Sequence, residues 1–571
     1  MNLLDFLVLV GSMVGIAVYG VWQTRGRQEL SYYLKGDRRT GWAAIGLSVM
    51  ATQASAVTFL SMPGQGYQDG LGFVQNYFGA PLALIVIAAV FLPMYRRLNV
   101  YTAYEYLGRR FDAKTRLLGA ALFLLQRGLQ AGITVYAPAI ILSTVLHWRT
   151  DATILLTGLV VIAYTAAGGS QAVNVTQKYQ IGVIFCGMFA AFVVLLRRMP
   201  PGVGLDDALA LAGGFRKLNG VDFSVDPSRR YTFWSGMLGG FFLALSYFGT
   251  DQSQVQRYLS GTSLRESRLG LMFNAVVKIP MQFFILLLGT MVFVFYQFEP
   301  PPVYFNQVVW ARGLERDPDG RLRDLERRYG ELHAEKRRAV EDWLSAREYG
   351  DPSAVAGARS RALAAQDRSQ SVRAEAKAAL ESLTVRAKSP DTDYVFMTFI
   401  LGHLPHGMIG LLIAAFFGAT LSSKAAELNA LASTTTVDFY RLLVARQADD
   451  AHCVTATRWF TVMWGAVAVG FALFASLAEN LIQAVNIVAS IFYGVVLGLF
   501  LVAFFLRRVQ GTAVFWAAIA AQLLVFALFA SLEISYLWYN LIGCAACAGI
   551  SLVIQAALGP GPSPTEAPAN P

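Results

Sequence analysis

Charge, cysteine and histidine are all scarce in this 571-residue chain: 15% of residues are Asp, Glu, Lys or Arg, and there are four cysteines and five histidines. A soluble chain of such length carries about a quarter charged residues, so the shortage excludes an ordinary soluble enzyme of two or three domains. Four cysteines exclude a disulfide scaffold. Cys186, Cys544 and Cys547 fall in apolar stretches and Cys453 in a connection, and the Cys544-x-x-Cys547 spacing lacks the strand–helix context of a redox motif. None of His147, His333, His403, His406 and His452 lies inside an apolar run, so a membrane enzyme built on histidine has no centre, and no enzymatic activity is expected. What the chain has in excess is apolar residues, 55% of the total, with a mean hydropathy of +0.47. That excess excludes disorder and points to a polytopic membrane protein.

The charge is unevenly placed. Arg312–Lys388 holds 17 Lys/Arg and 14 Asp/Glu in 77 residues; the other 494 residues share 53 charges, about 11%. The formal net charge of +10 has two readings, a nucleic-acid footprint or membrane topology. Short basic groups (Arg25/Arg27, Arg38/Arg39, Arg96/Arg97, Arg507/Arg508) flank apolar runs without any RNA-reading motif. The topological reading therefore fits, because basic residues gather on the cytoplasmic side of spans, and no nucleic-acid partner is expected.

A membrane span needs about 20 apolar residues. Thirteen candidates follow: 3–23, 42–67, 77–96, 116–146, 151–168, 178–197, 233–250, 270–297, 406–437, 455–477, 481–506, 512–531 and 534–557. The fold class expected is an all-α polytopic membrane protein of 13 transmembrane helices. Basic residues follow the first span and none precedes it, which places the N-terminus outside and the C-terminus in the cytoplasm of a plasma or inner membrane. The loop 197–230 dissents, with six basic residues and four aspartates on the side expected outside. The division expected is a core in two parts, 1–311 and 389–557, around an external charged insertion, 312–388, with a proline-rich disordered tail, 558–571. Helix formers and mixed charges make the insertion a helical hairpin; a solvated insert without a role is the other reading.

Two spans carry more polarity than helix packing asks for. The second has the small, polar centre Ala51-Thr52-Gln53-Ala54-Ser55-Ala56, followed by Pro63 and Gly64. The ninth has Ser422 and Ser423 at its middle, then Lys424 and Glu427. Small residues let helices approach, and serine often only bonds its own helix. A hard cation such as sodium, however, needs several oxygens. A broken helix frees carbonyls, and two hydroxyls on a facing helix complete the shell, as in transporters of inverted-repeat type. Spans 2–6 and 7–11 then form a 5+5 inverted repeat, and span seven, with Gly236, Gly239, Gly240 and Gly249, is expected to be broken as well.

At these residues the chain resembles the sodium:solute symporter family, which has the leucine-transporter fold. The resemblance rests on SAVTFLSMPGQGY, VYTAYEYLGRRFDAKTRLLG, GITVYAPAI, YTAAGGSQAVNVTQKYQ, GTDQSQVQRYLSG and ATLSSKAAELNALASTTTVDFYR, in order and on the matching spans. The wording is nearest the iodide, monocarboxylate and vitamin branch. It implies a sodium-coupled symporter, working as a monomer in the bilayer, that imports a small solute or anion with no cofactor beyond the coupling ion. The implied sodium ligands are the Ala51, Ala54 and Ala419 carbonyls and the Ser422 and Ser423 hydroxyls. The candidate substrate contacts are Gln53, Thr58, Tyr247, Lys278 and Asn486. Tyr247 is otherwise a core tyrosine, and Lys278 otherwise snorkels to the cytoplasmic face.

The departures from the family pattern matter too. Gln177 follows Thr176 where relatives often carry aspartate, and Ala419 stands where members with a second sodium site place a hydroxyl, so one central sodium is expected. Thr58 and Ala244 argue against a hexose pocket. Lys424 and Glu427, three residues apart, form an ion pair on one helical face. Lys424 then acts as a fixed cation where a second sodium would sit, or it is a hydrated lysine in an inner vestibule. Two rivals remain: a proton-coupled carrier, for which Glu427 with Lys424 is the sole titratable relay, and a transport-deficient receptor on the same scaffold.

Overall fold

The computed structural model describes residues 2–24, 41–53, 55–98, 102–259, 261–383, 391–474 and 480–559, with backbone only at 13–14, 16–24, 56, 98 and 167–179. Ala54, the basic stretch 25–40, the end of the insertion from 384 and the tail from 560 lie outside the described residues, as do the side chains of Thr176 and Gln177. The apolar runs are helices, since in hydrocarbon every backbone N–H and C=O must find its partner within the segment. Among the described residues, nine helical stretches are long and apolar enough to cross a membrane, with shorter ones at Leu3–Ser12 and Thr150–Ala166.

Helix α1 (Leu3–Thr24) is followed by α2 (Trp42–Gln53) and α3 (Ala56–Asp69), which together occupy the second predicted span and are separated at 54–55. Next come α4 (Ala80–Val86), a π turn and α5 (Leu92–Leu98), then α6 (Tyr104–Arg110) and α7 (Ala113–Leu146). Asp112 caps α7, its carboxylate accepting the Thr115 N–H at 2.8 Å.

Helix α8 (Thr150–Arg197) corrects the sequence reading. Two spans are expected over 151–168 and 178–197, yet the helix runs unbroken for 48 residues. At 1.5 Å per residue that is about 72 Å, more than twice the hydrocarbon thickness. The polar stretch between the two apolar runs holds no proline, so no N–H is missing from the helical ladder and nothing forces it to end.

After α9 (Leu205–Gly214), a π turn (Ser235–Gly239) leads into α10 (Gly240–Thr250) and α11 (Gln252–Leu259). Span seven is interrupted, but at Asp251 (φ −77°, ψ 121°) and not at its glycines. The glycines serve close approach: a Cβ at Gly236 would lie 2.0 Å from the Gln75 carbonyl oxygen, and one at Gly239 2.6 Å from that of Leu537.

Helix α12 (Leu264–Phe298) and the short α13 (Gln307–Glu315) precede α14 (Arg321–Tyr349) and α15 (Pro352–Leu383). The last two pack against each other, with a turn at Gly350 (φ 74°), where a left-handed residue is needed. Leu322, Leu325 and Tyr329 meet Val372, Ala376 and Leu380 in a small apolar cluster of their own. The hairpin also docks on the body. The Trp343 and Phe215 ring centroids are 5.7 Å apart, and Arg347 reaches Asp207 at 2.6 Å.

The remainder is α16 (Val395–His403), α17 (Met408–Thr434, continued by a π stretch to Val444), α18 (Asp450–Phe474), α19 (Leu481–Phe505), α20 (Gly511–Ser531) and α21 (Leu537–Leu558). Cys453, expected in a connection, is buried in α18. Helices α7, α12, α17 and α19 are the most enclosed spans and form the wall around the centre.

Candidate functional site

Between α2 and α3, Ser55 is extended, at φ −84° and ψ 177°. A helix that ends inside the membrane leaves the carbonyls of its last turn without intrahelical donors. The Gln53 carbonyl accepts the Thr58 hydroxyl at 2.9 Å, and the Thr52 carbonyl accepts the Ser423 hydroxyl of α17 at 3.1 Å. Ser422 turns the other way and donates to Oε1 of Gln180 on α8 at 2.9 Å. Ala51, Ala419, Ser422 and Ser423 are all buried. Of the five sodium ligands expected, the structure thus joins Ser423 to α2 and ties Ser422 to α8, while Ala54 lies outside the described residues. Gln180, which sequence reasoning missed, is buried, and its Nε2 has no hydrogen-bond partner. The donors here are hydroxyl, amide and carbonyl oxygens, the set that suits a hard cation. Among the described residues no group of His, Cys, Asp and Glu is placed to hold a metal ion.

Beside this gap lies a cavity of about 880 Å³. All five candidate substrate contacts, Gln53, Thr58, Tyr247, Lys278 and Asn486, line it, and so do Ser423 and Glu427. Tyr247 accepts a hydrogen bond from Gln254 at 2.7 Å. Asn486 carries a buried Nδ2 without a partner. Lys278 is 6% exposed, with its ammonium 5.0 Å from the centre of the Tyr77 ring, a cation–π contact. Among the described residues no carboxylate stands within ion-pair distance of it. The snorkelling reading of Lys278 thus gives way to a buried cation on the cavity wall.

A second set of charges closes the cavity. Arg127 on α7 pairs with Asp251 at the α10/α11 interruption, and its other amino group lies 3.4 Å from Glu427 of α17. Tyr493 of α19 donates to Asp251 at 2.7 Å and accepts from Arg127 at 2.9 Å. Lys424 is 2% exposed and pairs with Glu427, which also accepts from Thr134 at 3.3 Å. The ion pair expected from the Lys424–Glu427 spacing is formed, and the hydrated-vestibule reading of Lys424 fails on burial. The expectation that this pair is the sole intramembrane titratable candidate is also corrected, because Arg127 and Asp251 join it. Arg127 was detectable in the sequence as an arginine within the apolar run 116–146, where a charge is costly and marks function.

Residues 32–303 and 371–521 match the sequence model of the sodium:solute symporter family. The chain is similar to the human sodium/iodide cotransporter, 34% identical over 291 residues covering 51% of this chain and 45% of that protein. It is also similar to the human sodium-coupled monocarboxylate transporter 1, 28% identical over 500 residues, 87% of this chain and 68% of the relative. The sodium-dependent multivitamin transporter of Oryctolagus cuniculus is 32% identical over 306 residues, covering 52% of this chain and 47% of that protein. The chain thus spans less than half the length of two of these three relatives. Among solved structures, a substrate-bound, outward-open sodium-coupled sialic acid symporter superimposes with a TM-score of 0.75 at 21% identity, covering 98% of this chain and 99% of the other, a likeness of fold.

Proposed function

Because this chain belongs to the sodium:solute symporter family, we propose that it couples inward sodium movement to the import of a small organic solute or anion by alternating access. It is a multi-pass membrane protein with the leucine-transporter-like fold. The observation that carries the reading is the interruption at 54–55, which presents the Thr52 carbonyl to Ser423 on the wall of the polar cavity. In this account a single sodium ion sits among the Ala51, Ala54 and Ala419 carbonyls and the Ser422 and Ser423 hydroxyls, with Gln180 oriented by Ser422. Its binding holds α2 and α3 in the arrangement that receives substrate, and occupancy of both sites shifts the population toward the occluded state. In this account the two interrupted helices belong to a four-helix bundle whose rocking opens the inner side. With the N-terminus outside and the C-terminus in the cytoplasm, an inward-negative potential adds about 2.3 kcal/mol per charge per 100 mV.

The cavity charges favour an anionic cargo. Arg127 and Lys424 pair with Asp251 and Glu427, which leaves the Lys278 ammonium, among the described residues, as the cation on the cavity wall without a carboxylate partner. A buried charge without a partner is costly, and a monoanion such as a short carboxylate or a halide supplies the partner. The relatives named for iodide and monocarboxylates are consistent with that chemistry. The test is uptake of labelled iodide, lactate and a hexose into proteoliposomes with sodium or choline outside. Sodium-stimulated uptake of an anion is expected; uptake of the hexose alone would remove the anion assignment.

A second reading, a proton-coupled carrier on the same fold, draws support from the buried Asp251–Arg127–Glu427–Lys424 network. Uptake that survives sodium replacement and follows an imposed pH gradient would establish it.

A further inference from the structure

The insertion meets the membrane-spanning body over a polar cleft of about 470 Å³. Tyr67 and Gln68 at the end of α3 form one wall, Phe293 and Gln297 of α12 another, and α14 and α15 the roof. Three cations line it and no carboxylate does: Lys217 from the loop after α9, Lys336 from α14 and Arg373 from α15. Their circumstances differ. Arg373 has a counter-charge, with both carboxylate oxygens of Asp391 at 2.8 and 2.9 Å. Lys217 donates to the Gln68 carbonyl and lies 4.6 Å from the centre of the Phe293 ring. The charge of Asp69 acts on it in the sense that favours the ammonium. Lys336 is 3% exposed, and its one hydrogen bond goes to a neutral group, Oε1 of Gln366, at 3.2 Å.

An ammonium enclosed to this degree is destabilising unless a negative charge answers it. The helices that enclose Lys336 supply amides, and Gln370, at the exposed edge, leaves the cleft open to ions from solution. We propose that the cleft is a second anion site, distinct from the central cavity, which takes a small monoanion (a halide or short carboxylate) between Lys336 and Lys217 and fastens the insertion to the body. The site joins α14 and α15 to the far end of α3, the helix that begins at the interruption.

Burial lowers the Lys336 ammonium to about 7 and that of Lys217 to about 8, so both gain charge as pH falls. The other titratable or charged groups around Lys336 are Tyr329, His333 and Arg337 on its own helix, Tyr67 and Lys217 on the body side of the cleft, and Arg373 with Asp391. His333 is held to about 4 by burial and by the Lys336 charge, and so stays neutral over the range that follows.

The experiment is thermal unfolding of the full-length protein in constant sodium, with chloride replacing the bulky anion gluconate, at pH 6.5 and pH 9. Chloride is expected to raise the midpoint in a saturable way at pH 6.5, with half-saturation at least about tenfold higher at pH 9, where Lys336 has lost its proton. Lys278→Met, which removes the cation of the central cavity, should leave a saturable response in place, and Lys336→Met added to Lys278→Met should abolish it and raise the chloride-free midpoint. Absence of a saturable response in Lys278→Met at pH 6.5 overturns the proposal. So does a response that survives the double substitution. If the double substitution does not fold, Lys278→Met decides: equal chloride affinity at the two pH values overturns it.

Discussion

At the centre of the membrane-spanning body Arg127 faces Asp251 and Glu427, and Lys424 faces Glu427, so four buried charges answer one another. In the insertion, Lys336 is buried as deeply but faces the amide of Gln366. The body also spreads its network over four segments, α7 (Arg127 and Thr134), the α10/α11 interruption, α17, and α19 through Tyr493. The insertion instead coheres through apolar contacts, in one cluster shared with Val303, Tyr304, Val309 and Trp310 and through Val340, Trp343, Ala358 and Ala362, which join the core of the body. The difference teaches that charge in the body is structural currency between moving parts. In the insertion it is a local cost that something from outside must offset.

The comparison breaks most visibly at Arg127. Arg127→Met strands Asp251 in a low-dielectric site and leaves Glu427 to Lys424 alone, which costs about 3–5 kcal/mol; the folded fraction in size-exclusion chromatography should collapse, and Arg127→Lys should recover part of it. A midpoint unchanged by Arg127→Met would show that the central charges are not coupled.

The insertion is expected to respond to acid through His333. Burial and the neighbouring Lys336 charge lower the pKa of His333 from 6.5 to about 4. In the unfolded hairpin it protonates near 6.5, so the docked state is stable above that pH. It loses about 3 kcal/mol as pH falls from 6.5 to 4. Limited proteolysis at 321–349 should therefore accelerate between those values, and His333→Gln should flatten the profile.

A smaller effect is expected at the interruption. Ser423→Ala removes one hydroxyl and its bond to the Thr52 carbonyl, a loss of about 1.4 kcal/mol, or tenfold in the sodium concentration that half-saturates uptake. The smallest belongs to the exposed Arg337–Glu341 pair at 2.8 Å on α14. Arg337→Ala should change stability by no more than about 0.5 kcal/mol, measured by thermal unfolding.

Much of the architecture was legible in the amino acids. Long apolar runs declare helices because the bilayer leaves backbone groups no alternative, and the small, polar centre of span two marked the interruption at 54–55. The five residues singled out for substrate are gathered on one cavity, because each is a polar group within an otherwise apolar helix. What escaped depended on distance in space. Gln180 acquires meaning from Ser422, 242 residues later, and Asp251 from Arg127, 124 residues earlier. The glycines of span seven suggested a break at themselves, while the chain opens at Asp251, whose carboxylate accepts the Ser253 N–H at 2.9 Å and caps the helix that follows. The unbroken α8 was missed because polarity alone does not end a helix that retains all its N–H groups.

The central claim, that sodium binds where α2 is interrupted opposite α17, is tested most directly by the sodium dependence of solute uptake in proteoliposomes containing the wild type and Ser423→Ala. Uptake should rise along a saturating curve with external sodium and vanish in choline, and Ser423→Ala should move the curve about tenfold to higher sodium at an unchanged maximum. Uptake indifferent to the exchange of sodium for choline, or a Ser423→Ala curve superimposed on that of the wild type, would contradict it.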